Sequence, residues 1–398
     1  MKKTIVIGAG ASGMMAAIKA SEVSDVTLIE SNDKCGKKIL LTGNGKCNYW
    51  NDNICLDNYF TDDVQKLKEI LKMQTEVLDF LYKLGLYPKI KNGYYYPYSS
   101  QASSVREIFE LELQRRKINI LYNSKVHSIK KENNIFYVTL ENKTLEADVV
   151  IIATGSKACP KTGSDGSGYD LARSLGHQIN PVMPALVQLK ANEFFLKEWN
   201  GVRQDAHLTL YINGKETMSE EGELQMTQDG ISGICTFNIS SMASRALGDG
   251  QDVLVKINFS PFLNESFYDF FDKRASIISN QTVGELLESI LNYKLINVIL
   301  KRSNLTRNVY WKSLTENEKR TLCANIDAFE LRIIDTNPIE KGQVCTGGVS
   351  LKEIDENMQS TICENLYLVG EVLDVDGKCG GFNLAFAFIS GYIAGKAL

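Results

Sequence analysis

Gly8-Ala9-Gly10-Ala11-Ser12-Gly13, with Glu30 following 17 residues after Gly13, has the residue types and spacing needed to hold a dinucleotide. Glycine is required three times in G-x-G-x-x-G. One serves a tight turn, one lets the backbone approach a pyrophosphate, and one permits close packing of helix on strand. A helix opening at this point offers free N–H groups and the positive end of its dipole to phosphate. An acidic side chain at the end of the next strand, here Glu30 with Ser31 beside it, accepts hydrogen bonds from ribose hydroxyls.

Two further turns decide between dinucleotides. Ala153-Thr154-Gly155 closes the buried run 148–153 and has the form of a turn lying beside a flavin in two-domain flavoproteins. Near the end of the chain, Leu366-Tyr367-Leu368-Val369-Gly370-Glu371 with Asp374 is a strand ending in glycine and acid. It can present N–H and carboxylate groups to the pyrophosphate and ribityl hydroxyls. Gly380-Gly381-Phe382-Asn383 then opens a last helix whose N-terminus suits the negative charge of a reduced flavin. A nicotinamide dehydrogenase has no use for this closing segment, so the expected cofactor is FAD.

The elements that must position these residues can be read from periodicity. Residues 3–7 form a short apolar run typical of a strand buried on both faces. A helix is expected over 11–23, and a second strand over 26–30. Helical periodicity over 61–84 and 101–117 predicts two more helices, and apolar runs predict strands at 118–122, 135–140 and 145–153. Val126, just beyond the first of these strands, joins the expected cofactor set. The character changes near Pro181 and Pro184. Residues 186–260 carry strand alternation with turns at Asn213-Gly214 and Gly248-Asp249-Gly250, and 265–322 turn helical. A strand at 366–369 and a helix at 383–398 return to the opening style.

The fold expected is α/β, with a Rossmann-type FAD-binding domain built from both chain ends (1–185 plus 341–398). A β-rich, barrel-like substrate domain (186–264 plus 323–340) is inserted in it, with a helical subdomain at 265–322.

Composition narrows the function classes. The 398 residues carry a net charge of −4 with no basic run, so nucleic acid is not an expected partner. The 9 cysteines include no C-x-x-C pair and read as reduced thiols of a cytoplasmic protein. The apolar N-terminus reads as a buried strand and helix rather than a signal peptide. The tract 382–398 is too short and too interrupted by glycine to span a bilayer. No His or carboxylate spacing suggests a metal. Cys47 and Cys379 fall in cofactor motifs, but without a resolving partner they are expected to be small packed residues rather than a redox relay. His177 is likewise expected to be structural. Tyr94-Tyr95-Tyr96-Pro97-Tyr98 stands either as a wall of a substrate pocket or as an ordinary packed β-turn region.

Gly36-Lys37-Lys38-Ile39-Leu40-Leu41-Thr42-Gly43-Asn44-Gly45-Lys46-Cys47-Asn48 resembles the signature of BaiN/YhiN-type flavoproteins, a family that includes aminoacetone-oxidase-like enzymes. Gly163 to Tyr169, Thr346 to Val349, and Gly370 to Gly377 with Gly380 to Asn383 extend the likeness to both ends of the chain. It departs at Lys46, where the family has Arg and this chain loses the planar fork. The resemblance brings Lys38, Gly43, Asn44, Gly45, Lys46, Cys47 and Asn48 into the expected cofactor site. It also implies a reductase taking hydride from NADH or NADPH and reducing a small organic acceptor, such as the conjugated C=C of a steroid-like enone. The opposite direction, oxidation of a small amine with release of peroxide, is open on the same resemblance. A protein that acts on or binds RNA through the helical insertion is a third reading. The sequence gives no catalytic acid or base.

Overall fold

The computed structural model describes residues 1–261, 263, 265–278, 280–288 and 290–398. The expected segments 186–264 and 265–322 include positions 262, 264, 279 and 289, which lie outside the described residues. The chain forms two compact units, one of Met1–Met183 with Ile339–Leu398, the other of Pro184–Pro338.

The first unit is Rossmann-type. Its sheet runs Leu366–Leu368, Val149–Ile152, Lys2–Ile7, Ser24–Ile29, Asn119–Leu121, with every pairing parallel. Val6, Leu28, Val150 and Ile151 are fully buried, as a parallel sheet covered on both faces requires. The helix Ala11–Ala20 links the first two strands. The last helix, Phe382–Lys396, is apolar on all sides and lies against it. That contact is backbone-close. A Cβ at Gly391 would lie 2.3 Å from the Ser12 carbonyl oxygen, and one at Gly395 would lie 2.5 Å from that of Ala16.

The second unit is a closed six-stranded barrel in the order Leu189–Ala191, Gly230–Gly233, Lys215–Thr227, Arg203–Ile212, Val253–Asn258, Phe329–Thr336. Alternate residues point inward, so Leu208, Leu210, Val255, Ile257 and Leu331 are fully buried. Closure leaves no open sheet edge. The helices Phe267–Ile277, Val283–Leu287, Tyr293–Arg302 and Glu316–Asp327 belong to the same unit. Two of them start with a capping box, Thr282 with Glu285 and Thr315 with Glu318.

Several boundaries differ from the reading of the sequence. The helix expected over 61–84 is two, Val64–Leu71 and Gln74–Lys83, broken at Lys72-Met73. The strand expected over 145–153 is also two. Thr144–Ala147 belongs to a three-stranded antiparallel sheet, while Val149–Ile152 enters the parallel sheet. Asp148 makes the break, since its carboxylate accepts the Lys3 N–H at 2.7 Å. A strand Ser128–Glu132 was not foreseen. It pairs with Ile135–Thr139 across Asn133 and Asn134, whose φ values of 48° and 65° are those of a tight hairpin turn. Within 186–260, read as strands, Ile234–Gly248 is a long buried helix.

Candidate dinucleotide-binding site

The strand Lys2–Ile7 ends at Gly8, whose φ of +99° only glycine adopts without strain. A Cβ at Gly8 would lie 2.5 Å from the Ala153 carbonyl oxygen, and one at Gly13 would lie 1.8 Å from that of Gly8. These two glycines bring the first turn, the first helix and the Ala153-Thr154-Gly155 turn into backbone contact. Gly10 differs, because a Cβ there would meet nothing within 4 Å. It caps Ala11–Ala20 without a side-chain hydrogen bond, and no acidic residue stands in the first turn. The helix start is therefore open and electropositive, the arrangement that receives phosphate.

Glu30 follows the second strand and is 7% exposed. Its Oε2 accepts the Ala9 N–H at 2.9 Å, and its Oε1 accepts the backbone and side-chain N–H groups of Asn32 at 2.8 and 2.7 Å. Exposed Ser31 reaches the same Oε1 at 3.3 Å. The chain beyond the strand Asn119–Leu121 runs alongside, with the Ser124 N–H on the Glu30 carbonyl at 2.9 Å, and so carries buried Val126 past this acid.

The segment 36–48 is anchored by the Gly36 N–H on the Ala9 carbonyl at 2.8 Å. It then coils tightly, with Gly43, Asn44, Gly45 and Cys47 all left-handed at φ of 56°, 52°, 79° and 56°. Asn and Gly tolerate this conformation, which explains their density here. The Cys47 N–H closes the coil on the Thr42 carbonyl at 3.0 Å, and that of Lys46 bonds the Gly43 carbonyl at 3.1 Å. Asn48, oriented to donate, reaches the carbonyls of Trp50 and Tyr95 at 3.0 Å each. The Cys47 side chain is fully buried, and burial pushes its thiol up to about 11. It stays protonated near neutrality, as a packed residue rather than a nucleophile.

The C-terminal turns meet these segments. Gly370, at φ +73°, donates its N–H to Ser390 Oγ at 3.0 Å, and a Cβ there would lie 2.4 Å from Ser12 Oγ. Glu371 Oε2 takes Lys38 Nζ at 2.6 Å and Ser156 Oγ at 3.2 Å. Gly380 and Gly381 have φ of +135° and +93°, and a Cβ at Gly381 would lie 2.6 Å from the Trp50 carbonyl oxygen. Phe382 packs edge-on against Tyr59.

Two further expected residues are also bonded within the chain. Asp374 is fully buried, accepting Asn180 Nδ2 at 2.8 Å and the Gly347 N–H at 3.0 Å. Asn383 is folded back on Gly377, donating to its carbonyl at 2.7 Å and accepting its N–H at 2.8 Å. His177 is held at both nitrogens, Nδ1 to Glu353 at 2.9 Å and Nε2 to Ser360 Oγ at 2.8 Å.

The tyrosine run, expected either as a pocket wall or as an ordinary packed turn, lies beside two of these turns. Tyr94 and Tyr96 sit on one face of the strand Tyr94–Pro97. A Cβ at Gly380 would lie 2.9 Å from Tyr94 Cε1, and one at Gly43 would lie 3.8 Å from Tyr96 Cε1. Tyr95 points the other way and donates to Asp52 at 2.7 Å. Thr154 Oγ1 and Tyr169 Oη are buried without a hydrogen-bond partner. Asn32 and Ser156 were not singled out, and nothing in the sequence around them offered a signal.

The model of the HI0933-like protein Rossmann domain matches residues 2–397. The chain belongs to the HI0933-like family. The likeness carried by residues 36–48, 163–169, 346–349 and 370–383 is thus family membership over the whole chain. This HI0933-like protein is 38% identical to the 3-dehydro-bile acid delta(4,6)-reductase of Clostridium scindens over 413 aligned residues, covering 100% of this chain and 99% of the relative. It is 25% identical to the ribosomal RNA dihydrouridine synthase of Escherichia coli K12, covering 99% of this chain and 97% of the relative. The 3-ketosteroid-delta4-(5alpha)-dehydrogenase of Rhodococcus jostii RHA1, solved with 4-androstene-3,17-dione, shares the fold, with a TM-score of 0.52 at 13% identity. That likeness covers 100% of this chain and 96% of that one. No helix among the described residues is long and apolar enough to cross a membrane.

Proposed function

We propose that this HI0933-like protein is an FAD-dependent oxidoreductase that takes hydride from NADH or NADPH and reduces the conjugated C=C of a steroid-like enone. The observation that carries the reading is the 38% identity, over both full lengths, to a relative named for reducing 3-dehydro-bile acids.

The residues fit FAD. The open Gly10 position and the uncapped first helix suit a pyrophosphate, and the buried, unpartnered Thr154 hydroxyl stands at the expected flavin turn. We assign Gly8 to Gly13 to the pyrophosphate, Glu30 and Ser31 to the ribose, and Val126 to the adenine side. Lys38, the coil Gly43 to Asn48, Ala153 to Gly155, Gly370 with Glu371, and Gly380 to Asn383 are assigned to the ribityl and ring portions, with Asp374 holding the turn. Bound FAD would supply the hydride chemistry, which no side chain of the chain can perform. The chain's own part is to bind and orient. The Lys38–Glu371 pair places a fixed cation and a fixed carboxylate beside the two turns. The tyrosine face at 94 and 96 offers rings and hydroxyls to a planar ligand. A single dinucleotide fingerprint implies that the nicotinamide donor docks transiently, and the barrel unit is assigned to substrate selection. With all nine cysteines as thiols, a reducing compartment suits the protein, and we place it in the cytoplasm.

The test is anaerobic stopped-flow mixing of the purified yellow protein with NADH and with NADPH. Rapid bleaching of the flavin by either, followed by reoxidation on adding a conjugated steroid enone, is the expected result. Absence of bleaching over minutes would overturn the nicotinamide link and turn the search to small amines with peroxide as readout. A second reading, action on RNA, is favoured by the 25% identity to the ribosomal RNA dihydrouridine synthase. Retention on heparin at low salt separates it from the first, which does not predict it.

A further inference from the structure

Asn32 uses every polar group it has, and all of them converge on Glu30 and its surroundings. Its backbone N–H and Nδ2 both donate to Glu30 Oε1, at 2.8 and 2.7 Å. Nδ2 also donates to the Thr162 carbonyl at 3.0 Å. Oδ1 accepts Lys37 Nζ at 3.1 Å, and the backbone carbonyl accepts the Asn123 N–H at 2.9 Å.

This set of bonds has two effects. With Oε1 filled by Asn32 and Oε2 held by the Ala9 N–H, the Glu30 carboxylate is locked in one rotamer. An ionised carboxyl group has about four acceptor positions, so capacity remains on Oε2 for an incoming hydroxyl. The Thr162 bond also ties the acid to the segment 160–166, which follows Ala153-Thr154-Gly155. Gly163, at φ +95°, passes so close that a Cβ would lie 2.3 Å from Asn32 Nδ2. Ser164 is buried, and its Oγ would lie 2.6 Å from a Cβ at Gly155. Asp165 is pinned on the other side by Lys125 at 2.6 Å. The segment therefore forms a strap fixed at one edge by Asn32 and at the other by Lys125.

We infer that Asn32 is a positioning residue for recognition of the dinucleotide ribose: it orients Glu30 to receive the 2′-hydroxyl and holds the 160–166 strap over the same end. The inference rests on the dinucleotide-binding part of the reading above. No step of catalysis is involved, so the effect belongs to binding.

The experiment compares ADP with 2′-deoxy-ADP by calorimetric titration of flavin-stripped protein, with FAD titrated alongside. In the wild type, loss of the 2′-hydroxyl should weaken ADP about tenfold, the scale of one hydrogen bond to a charged group. In Asn32→Ala that ratio should fall toward one, while the ADP and FAD dissociation constants both rise about tenfold. A merely structural role would weaken ADP and 2′-deoxy-ADP equally and leave the ratio standing, which overturns the inference, as does an unchanged ratio with unchanged affinities. Should Asn32→Ala not fold, Asn32→Asp is read the same way. It keeps the size and the acceptor for Lys37 but sets a second carboxylate against Glu30. A wild type that binds ADP but not FAD sinks the cofactor reading and leaves the ribose inference standing; one that binds neither sinks both.

Discussion

Lys38 Nζ lies 2.6 Å from Glu371 Oε2, joining positions 333 residues apart, and the two side chains keep only 23% and 19% of their exposure. The pair therefore links the coil after the second strand to the turn after the strand Leu366–Leu368. Ser156 adds a third contact to the same oxygen at 3.2 Å.

Removing the lysine should expose the value of that link. Lys38→Met leaves Glu371 half-enclosed with one hydroxyl partner, and the expected loss is about 1–3 kcal/mol in urea unfolding. A pair of this kind on an open surface would give about 0.5 kcal/mol or less. A loss that small would mean that the glycine contacts alone hold the two ends of the chain together.

Gly10 and Gly13 share a motif but have opposite surroundings, so their alanine variants should fail in opposite ways. At Gly13 the new Cβ would lie 1.8 Å from the Gly8 carbonyl oxygen, and the expected cost is about 3 kcal/mol or more, or no folded protein. At Gly10, where φ is −76° and the space is open, the melting temperature should stay within a few degrees. Flavin content per chain should nevertheless drop about tenfold, because the methyl occupies the phosphate approach. Full flavin retention in Gly10→Ala would show that no pyrophosphate comes to that position.

His177 predicts a pH effect on stability rather than on catalysis. Ser360 Oγ already accepts the Ile362 and Cys363 N–H groups at 3.1 and 2.8 Å, so its own proton goes to His177 Nε2. The ring is then neutral, with Nδ1–H on Glu353. Burial holds its pKa below the ordinary value, and the Glu353 carboxylate only partly offsets this. Above the unfolded value of about 6.5 neither state carries the proton, and the stability is complete. Below it the unfolded chain binds the proton first, so stability is lost as pH falls through the folded value. Between pH 7.5 and 5.5 the wild type should lose more stability than His177→Gln, by no more than about 1.4 kcal/mol, measured by urea unfolding at both pH values. Equal losses would mean that the ring titrates normally.

Legibility followed the physics of each segment. The first βαβ unit and the last helix were readable because glycine spacing and apolar runs act locally. The barrel strand Val253–Asn258 was readable from strict alternation. Ile234–Gly248 was not, since its Ser and Thr residues look like strand and turn material. In the fold they are buried, with Thr236 bonding the Ser232 carbonyl at 3.0 Å and Ser240 that of Phe237 at 2.7 Å. In the site, the motif glycines were named from sequence, whereas Asn32 and Ser156 were not. Their roles depend on contacts with Thr162 and Glu371, which lie far away in the chain.

The tyrosine run offers the sharpest test of which expected residues face a ligand. Successive side chains of a strand point to opposite faces, so Tyr94 and Tyr96 share one side while Tyr95 takes the other. Tyr95 is committed to the fold, with its hydroxyl on Asp52 at 2.7 Å and its ring edge-on to Tyr49. Tyr95→Ala should therefore cost about 2 kcal/mol or more in stability and leave the remaining folded protein with normal flavin binding. Tyr94 and Tyr96 stand instead against Gly380 and Gly43, the glycines of two turns proposed to hold the cofactor. Burial, with Tyr94 as neighbour, raises the Tyr96 pKa, so both lone pair and proton of its hydroxyl stay available near neutrality. Tyr96→Phe should keep the melting temperature and alter the flavin absorbance spectrum or the KM for an enone several-fold. If instead Tyr95→Ala changes ligand binding and Tyr96→Phe changes nothing but stability, the hairpin is packing material and the substrate wall lies elsewhere.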